Sequence, residues 1–174
     1  MKNTENHIFI IGMMGSGKSS VAPLLSSKLN IPYIDTDKDL VEILDAEIKE
    51  IFTSLTKEKF YHLESTYFLE HIKGKQHIYA TGGGIILNDF NKKILKNKGK
   101  TILLEASVDT LYNRLKSEAT STRPLLTNKL NKDSIKKIWL ERKNMYRNCA
   151  DIIINTDNKS IDKVSDEILQ SLSL

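Results

Sequence analysis

Residues 12–19 read GMMGSGKS and match GxxxxGK[S/T] at every position. Glycines at that spacing let the chain turn tightly, so that successive backbone N–H groups point inward at an anion. An apolar run, residues 7–11, precedes the loop, and an amphipathic stretch follows it. The loop therefore joins a strand to a helix N-terminus, whose field favours phosphate. Lys18 is expected to reach β- and γ-phosphates and the Ser19 hydroxyl to ligate Mg²⁺. Gly15, Ser16, Gly17 and Ser20 line the same nucleotide site. A phosphate loop of this kind identifies a nucleotide such as ATP and leaves the reaction open.

Other polar positions have to choose the reaction. Asp35 and Asp37 follow an apolar run at 31–34. In an open α/β sheet the strand C-terminal ends line the ligand crevice, so both carboxylates face the phosphate site. One can hold a metal through water while the other accepts a hydrogen bond or a proton from an attacking hydroxyl. A helix-capping role for Asp37 stands beside that reading. Gly82, Gly83 and Gly84 follow the next apolar run, where backbone either approaches a ligand or makes a tight turn. Arg123 lies in a polar stretch, where it can neutralise charge on transferring phosphates as the loop closes. Arg142 falls on a helical pattern four residues before Tyr146 and can pair with a carboxylate on an acceptor.

Five short apolar runs, at 7–11, 31–34, 77–81, 101–104 and 151–154, must hold these residues in place. Helical patterns at 19–29, 57–71, from 108, at 133–146 and at 160–172 alternate with them. That alternation predicts an open three-layer α/β fold, a five-stranded parallel sheet covered by helices on both faces. The whole chain, 1–174, reads as a single domain. Acceptor-binding helices are expected at about 37–71 and a mobile lid at about 117–131.

Hydrophobic residues at 40% and charged residues at 28% exclude a disordered or membrane-embedded chain. The opening MKNTENH lacks a secretion-signal pattern, so a cytoplasmic location is expected. Cys149 is the single cysteine, which rules out an internal disulfide and a multi-cysteine metal site. The net charge of +4 suits polyanion binding, but no arginine stripe or aromatic–basic interleaving points to nucleic acid. Small-molecule partners, no membrane and a monomer are the expectation.

Taken in order, GMMGSGKS, Asp35-Thr-Asp37, IKEIF at 48–52, Thr81-Gly-Gly-Gly84, RPLL at 123–126 and Arg142 with Tyr146 and Ala150 resemble the shikimate kinase family over nearly the whole chain. The resemblance implies a P-loop, nucleoside-monophosphate-kinase-like fold. It also implies transfer of the ATP γ-phosphate to the 3-hydroxyl of shikimate in aromatic amino acid biosynthesis. Under it Asp35 lies near the metal and Asp37 grips the acceptor hydroxyls. Gly83 touches the acceptor through backbone, and Arg142 binds its carboxylate. Arg123 is the lid arginine and Arg114 packs against adenine. The chain departs from the family's Phe-Arg-x-x-Glu at Phe60-Tyr-His-Leu-Glu64, where Tyr61 stands in place of a second carboxylate-binding arginine. Asp45 replaces a usual glycine and Ser20 a common threonine. The Tyr61 change leaves two alternatives: phosphorylation of another small hydroxylated metabolite, and a nucleotide-binding regulatory module without turnover.

Overall fold

The computed structural model describes residues 6–44, 57–72, 74–118 and 131–172. Five strands form one parallel sheet: β1 His7–Ile11, β2 Tyr33–Asp35, β3 Ile78–Ala80, β4 Gly99–Glu105 and β5 Ile152–Asn155. Their spatial order is β2-β3-β1-β4-β5. Seven α-helices accompany them among the described residues: α1 Lys18–Leu29, α2 Thr36–Leu44, α3 Lys57–His71, α4 Asp89–Asn97, α5 Val108–Glu118, α6 Lys132–Cys149 and α7 Ile161–Leu172.

In the central strands β1, β3 and β4 the apolar runs are continuous because both sheet faces are buried there, whereas Tyr33 on β2 and Ile153 on β5, the edge strands, are exposed. In β1, Phe9 and Ile11 face a layer containing Phe68, Tyr79, Leu111 and Tyr146. Ile8 and Ile10 face the opposite layer, with Val21, Leu25, Val164 and Ile168. Helices α1 and α7 therefore cover one face, and α3 to α6 supply the other.

Strand order also locates the crevice. The chain leaves β1 toward β2 on one side, whereas β3 leads across β1 to β4 on the other. Neighbouring strands whose connections diverge leave a gap beyond their C-terminal ends, where ligands bind. The phosphate loop follows β1 and the glycine run follows β3, so the topology brings these two motifs together.

Several elements differ from the sequence expectation: β2 spans Tyr33–Asp35 rather than 31–34, and a 3₁₀ turn, Ile85–Leu87, follows the glycine run. Helix α4 was not anticipated. It begins at an Asn88 cap whose side chain accepts from Phe90 and Asn91 N–H, and it buries Asn91, Ile94 and Leu95. Its sequence, DFNKKILKN, buries only two apolar residues, Ile94 and Leu95, too few to stand out as a helical stripe. Of the stretch 117–131 expected as a lid, Ser117 and Glu118 close α5 and Asn131 caps α6, and 119–130 lie outside the described residues. Arg123, Asp45 and the IKEIF segment at 48–52 lie outside the described residues.

Candidate active site

The phosphate loop runs from Gly12 into α1. Gly15 and Gly17 take φ of 77° and 101°, in the left-handed region that penalises side chains, and Gly17 is the residue from which α1 starts. Lys18, the first residue of α1, is buried, and its ammonium donates to the carbonyls of Gly12 and Met13, each at 2.9 Å. The loop thus folds around its own lysine, which holds the positive charge inside the phosphate cradle. Ser19 is half-buried and Ser20 is exposed on the same turn, while Ser16 is buried with no hydrogen-bond partner for its hydroxyl.

Arg114 of α5 braces the loop. One guanidinium nitrogen donates to the carbonyls of Gly15 (3.2 Å) and Ser16 (3.4 Å) and to the Thr156 hydroxyl (3.0 Å). The other donates to the Thr156 carbonyl at 2.9 Å. Thr156, just beyond β5, did not stand out in the sequence. Its place after an apolar strand run was the available signal, by the same strand-end rule that found Asp35. Replacing Arg114 by alanine should free the loop floor and raise KM for ATP about tenfold, at little cost to acceptor KM. Steady-state titration of each substrate separates the two.

Beyond β2, Asp35 and Asp37 sit on either side of the start of a helix. Helix α2 starts directly after the strand, at Thr36. Asp35 Oδ1 accepts from the Lys38 N–H at 3.3 Å, so the capping role considered for Asp37 belongs to Asp35. Asp35 Oδ2 is buried without a hydrogen-bond partner, with Lys38 Nζ 3.9 Å away. Asp37 lies in the first helical turn, half-buried. Between them, the buried Thr36 hydroxyl accepts from the Gly82 N–H at 3.0 Å and ties the end of β2 to the glycine run. Thr36 is another residue that sequence reasoning passed over.

Gly82 is a place of close approach. A Cβ there would lie 2.2 Å from Glu64 Oε1 and 2.6 Å from Asp37 Oδ1, so only glycine lets both carboxyl groups converge. Gly83 presents its carbonyl to α6, receiving Tyr146 Oη–H at 2.6 Å and Arg142 Nη1–H at 3.1 Å. Gly84, with an ordinary φ of −94°, starts the 3₁₀ turn Ile85–Leu87, whose first two side chains enter the core. Helix α6 is well anchored for its role. An Asn131–Ser134 capping box begins it, and a two-pronged Arg147–Glu105 pair (2.7 and 2.9 Å) ties it to β4.

Glu64 of α3 sits behind Gly82, 1% exposed, and neither carboxyl oxygen has a hydrogen-bond partner among the described residues. Burial pushes this carboxyl up to about 8; the Asp37 charge adds to the push and Arg142 opposes it. Its neighbour His62 is exposed, so it does not face the same way. The side chains of residues 57–61, Tyr61, Lys57 and Lys59 among them, lie outside the described residues.

The structure thus gathers Lys18, Asp35, Asp37, Gly82, Gly83 and Arg142 around one crevice, with Arg114 beneath the phosphate loop. A polyanion cradle opposite a carboxylate and a guanidinium suits phosphate transfer to a hydroxylated acid. Comparisons with known proteins agree. The family model described as shikimate kinase matches residues 14–173. A curated shikimate kinase from Rhodopirellula baltica is 34% identical, covering 98% of this chain and 94% of its own. One from Sulfurihydrogenibium is 37% identical, with 99% and 98% covered. Among solved structures, a shikimate kinase from Acinetobacter baumannii in complex with shikimate superposes with a TM-score of 0.89 at 27% identity, covering 96% of this chain and 92% of that one. No described helix is long and apolar enough to cross a membrane.

Proposed function

The chain belongs to the shikimate kinase family, and from that premise we propose how its own residues carry the transfer of phosphate from ATP to shikimate. The observation that carries the proposal is that Asp37 lies against Gly82 and Arg142 on the Gly83 carbonyl, beside the phosphate loop that holds Lys18. Shikimate joins a ring carboxylate to ring hydroxyls. Arg142 holds the carboxylate, since Gly83 engages one guanidinium N–H among the described residues and others remain for a two-pronged pair. Gly83 meets the acceptor through backbone, and Asp37 accepts from the 3-hydroxyl that attacks. Lys18 turns its ammonium from the loop carbonyls to the γ-phosphate, and Arg123 acts on the same phosphates from the lid. Arg114, whose guanidinium supports the phosphate loop, lies against the adenine.

Mg²⁺ fits the residues present. Asp35 Oδ2 is buried without a donor and Ser19 opens α1, whereas the described residues contain no cluster of three or more acidic, histidine or cysteine side chains. Two protein oxygens suit an ion that keeps waters and binds phosphate oxygens. Bound there, Mg²⁺ would supply positive charge to offset the negative charge of the transferring phosphate. Ser19 would bind it directly and Asp35 through water. The enzyme works as a cytoplasmic monomer in this reading.

Replacing Arg142 by glutamine tests the acceptor assignment. The charged contact is worth about 1.5–3 kcal/mol, so KM for shikimate should rise roughly ten- to a hundredfold. KM for ATP should stay within about twofold. An unchanged shikimate KM would remove Arg142 from the acceptor site.

A further inference from the structure

Glu64 has no assigned chemistry in the transfer step, yet it is 1% exposed, and among the described residues neither of its carboxyl oxygens has a hydrogen-bond partner. Its Oε1 and the Asp37 Oδ1 flank the same backbone point at Gly82, within about 5 Å of each other. The Gly82 N–H, the nearest backbone donor, is already given to Thr36. Residue 61, one turn earlier on α3, is a tyrosine and brings no cation. Among the described residues, the charged groups that face Glu64 from the packed elements are Asp37 of α2 and Arg142 of α6, of opposite sign.

An ionised carboxylate so placed has lost its water and gained no donor, which is costly. A neutral carboxylic acid avoids that cost. It also leaves Arg142 uncontested for an incoming carboxylate. The two protonation states of Glu64 therefore present different sites to an anion. Neutral, it can donate a hydrogen bond; ionised, it repels the anion and draws on the Arg142 charge.

We propose that Glu64 sets acceptor affinity as a neutral acid: it is protonated whenever a carboxylate-bearing acceptor is seated against Arg142, and losing that proton expels the acceptor. The inference rests on Arg142 being the partner of the acceptor carboxylate. Glu64 is a positioning residue in this scheme, because it acts through Arg142 and the bound anion. The proton comes from solvent on binding and returns to it on release.

The sign follows directly. The acceptor carboxylate is ionised throughout the neutral range. Free Glu64 releases its proton near pH 8, and the bound anion makes that release harder. Acceptor affinity is therefore full below this pH and lost above it, by up to about tenfold per pH unit. At saturating ATP, KM for shikimate should rise about tenfold between pH 7 and pH 9. In Glu64→Gln, which cannot ionise, KM should be flat over that range. A parallel rise in both proteins would overturn the proposal.

Calorimetry of shikimate binding to the unaltered protein gives an independent readout. Titrations at pH 8 in buffers of different ionisation enthalpy should reveal uptake of about half a proton per site. No uptake would overturn the proposal even if Glu64→Gln did not fold. Arg142→Gln separates the two assignments. Weakened binding in that variant, with no proton uptake by the unaltered protein, removes Glu64 alone. Undiminished binding removes the Arg142 premise and the proposal with it.

Discussion

Lys18→Met should lower kcat by about a thousandfold or more. Methionine keeps the length of the lysine stem and its packing but carries no charge. Lys18 is 8% exposed and held by two loop carbonyls at 2.9 Å, so its ammonium acts in a water-poor cradle where a charge stabilises transferring phosphate strongly. The loop turns at Gly15 and Gly17, which hold positive φ whatever residue 18 is, but the Gly12 and Met13 carbonyls lose their donor. The melting temperature should therefore fall by only a few degrees, far too little to explain the loss of rate. Single-turnover rates at saturating substrates, beside a thermal melt, check both parts. A variant with near-normal kcat would mean that another cation carries the charge.

Asp37→Asn should lower kcat by roughly a hundred- to a thousandfold, with a smaller rise in shikimate KM. Asparagine has the same shape but cannot take the hydroxyl proton or hold it with full negative charge. Positioning and charge neutralisation dominate a loose phosphoryl transfer, which keeps the effect below that of Lys18. The substitution has a second consequence. The Asp37 charge is one of the causes holding Glu64 neutral, so its loss should move the pH at which shikimate affinity falls to a lower value. Measuring kcat and KM from pH 6 to pH 9 reads both effects.

Much of this architecture was legible because the signals are local. GMMGSGKS names its own conformation, and the runs around Phe9, Tyr79 and Leu103 are apolar throughout because helices cover both faces. Asp35, Asp37 and the glycine run were found by position, at the C-terminal ends of β2 and β3. Contacts made across the fold were not legible. The hydroxyl of Thr36 on the Gly82 N–H, and Thr156 under Arg114, join residues 46 and 42 positions apart, and nothing in either local sequence marks them. The cap fell to Asp35 because α2 begins without a linking turn, a boundary that periodicity does not resolve. Glu64 was visible only as the acid that closes the Phe60-Tyr-His-Leu-Glu64 segment. Its isolation depends on Gly82 allowing two carboxyl groups to crowd one point of backbone.

Acceptor selectivity is the most direct test of the central claim. The rate of Mg²⁺-dependent ADP formation should be measured with shikimate, shikimate methyl ester and gluconate as acceptors. The site described predicts saturable turnover with shikimate, kcat/KM about ten- to a hundredfold lower for the uncharged ester, and little turnover with gluconate. ATP binding without shikimate-dependent ADP formation, or equal use of acid and ester, would contradict it.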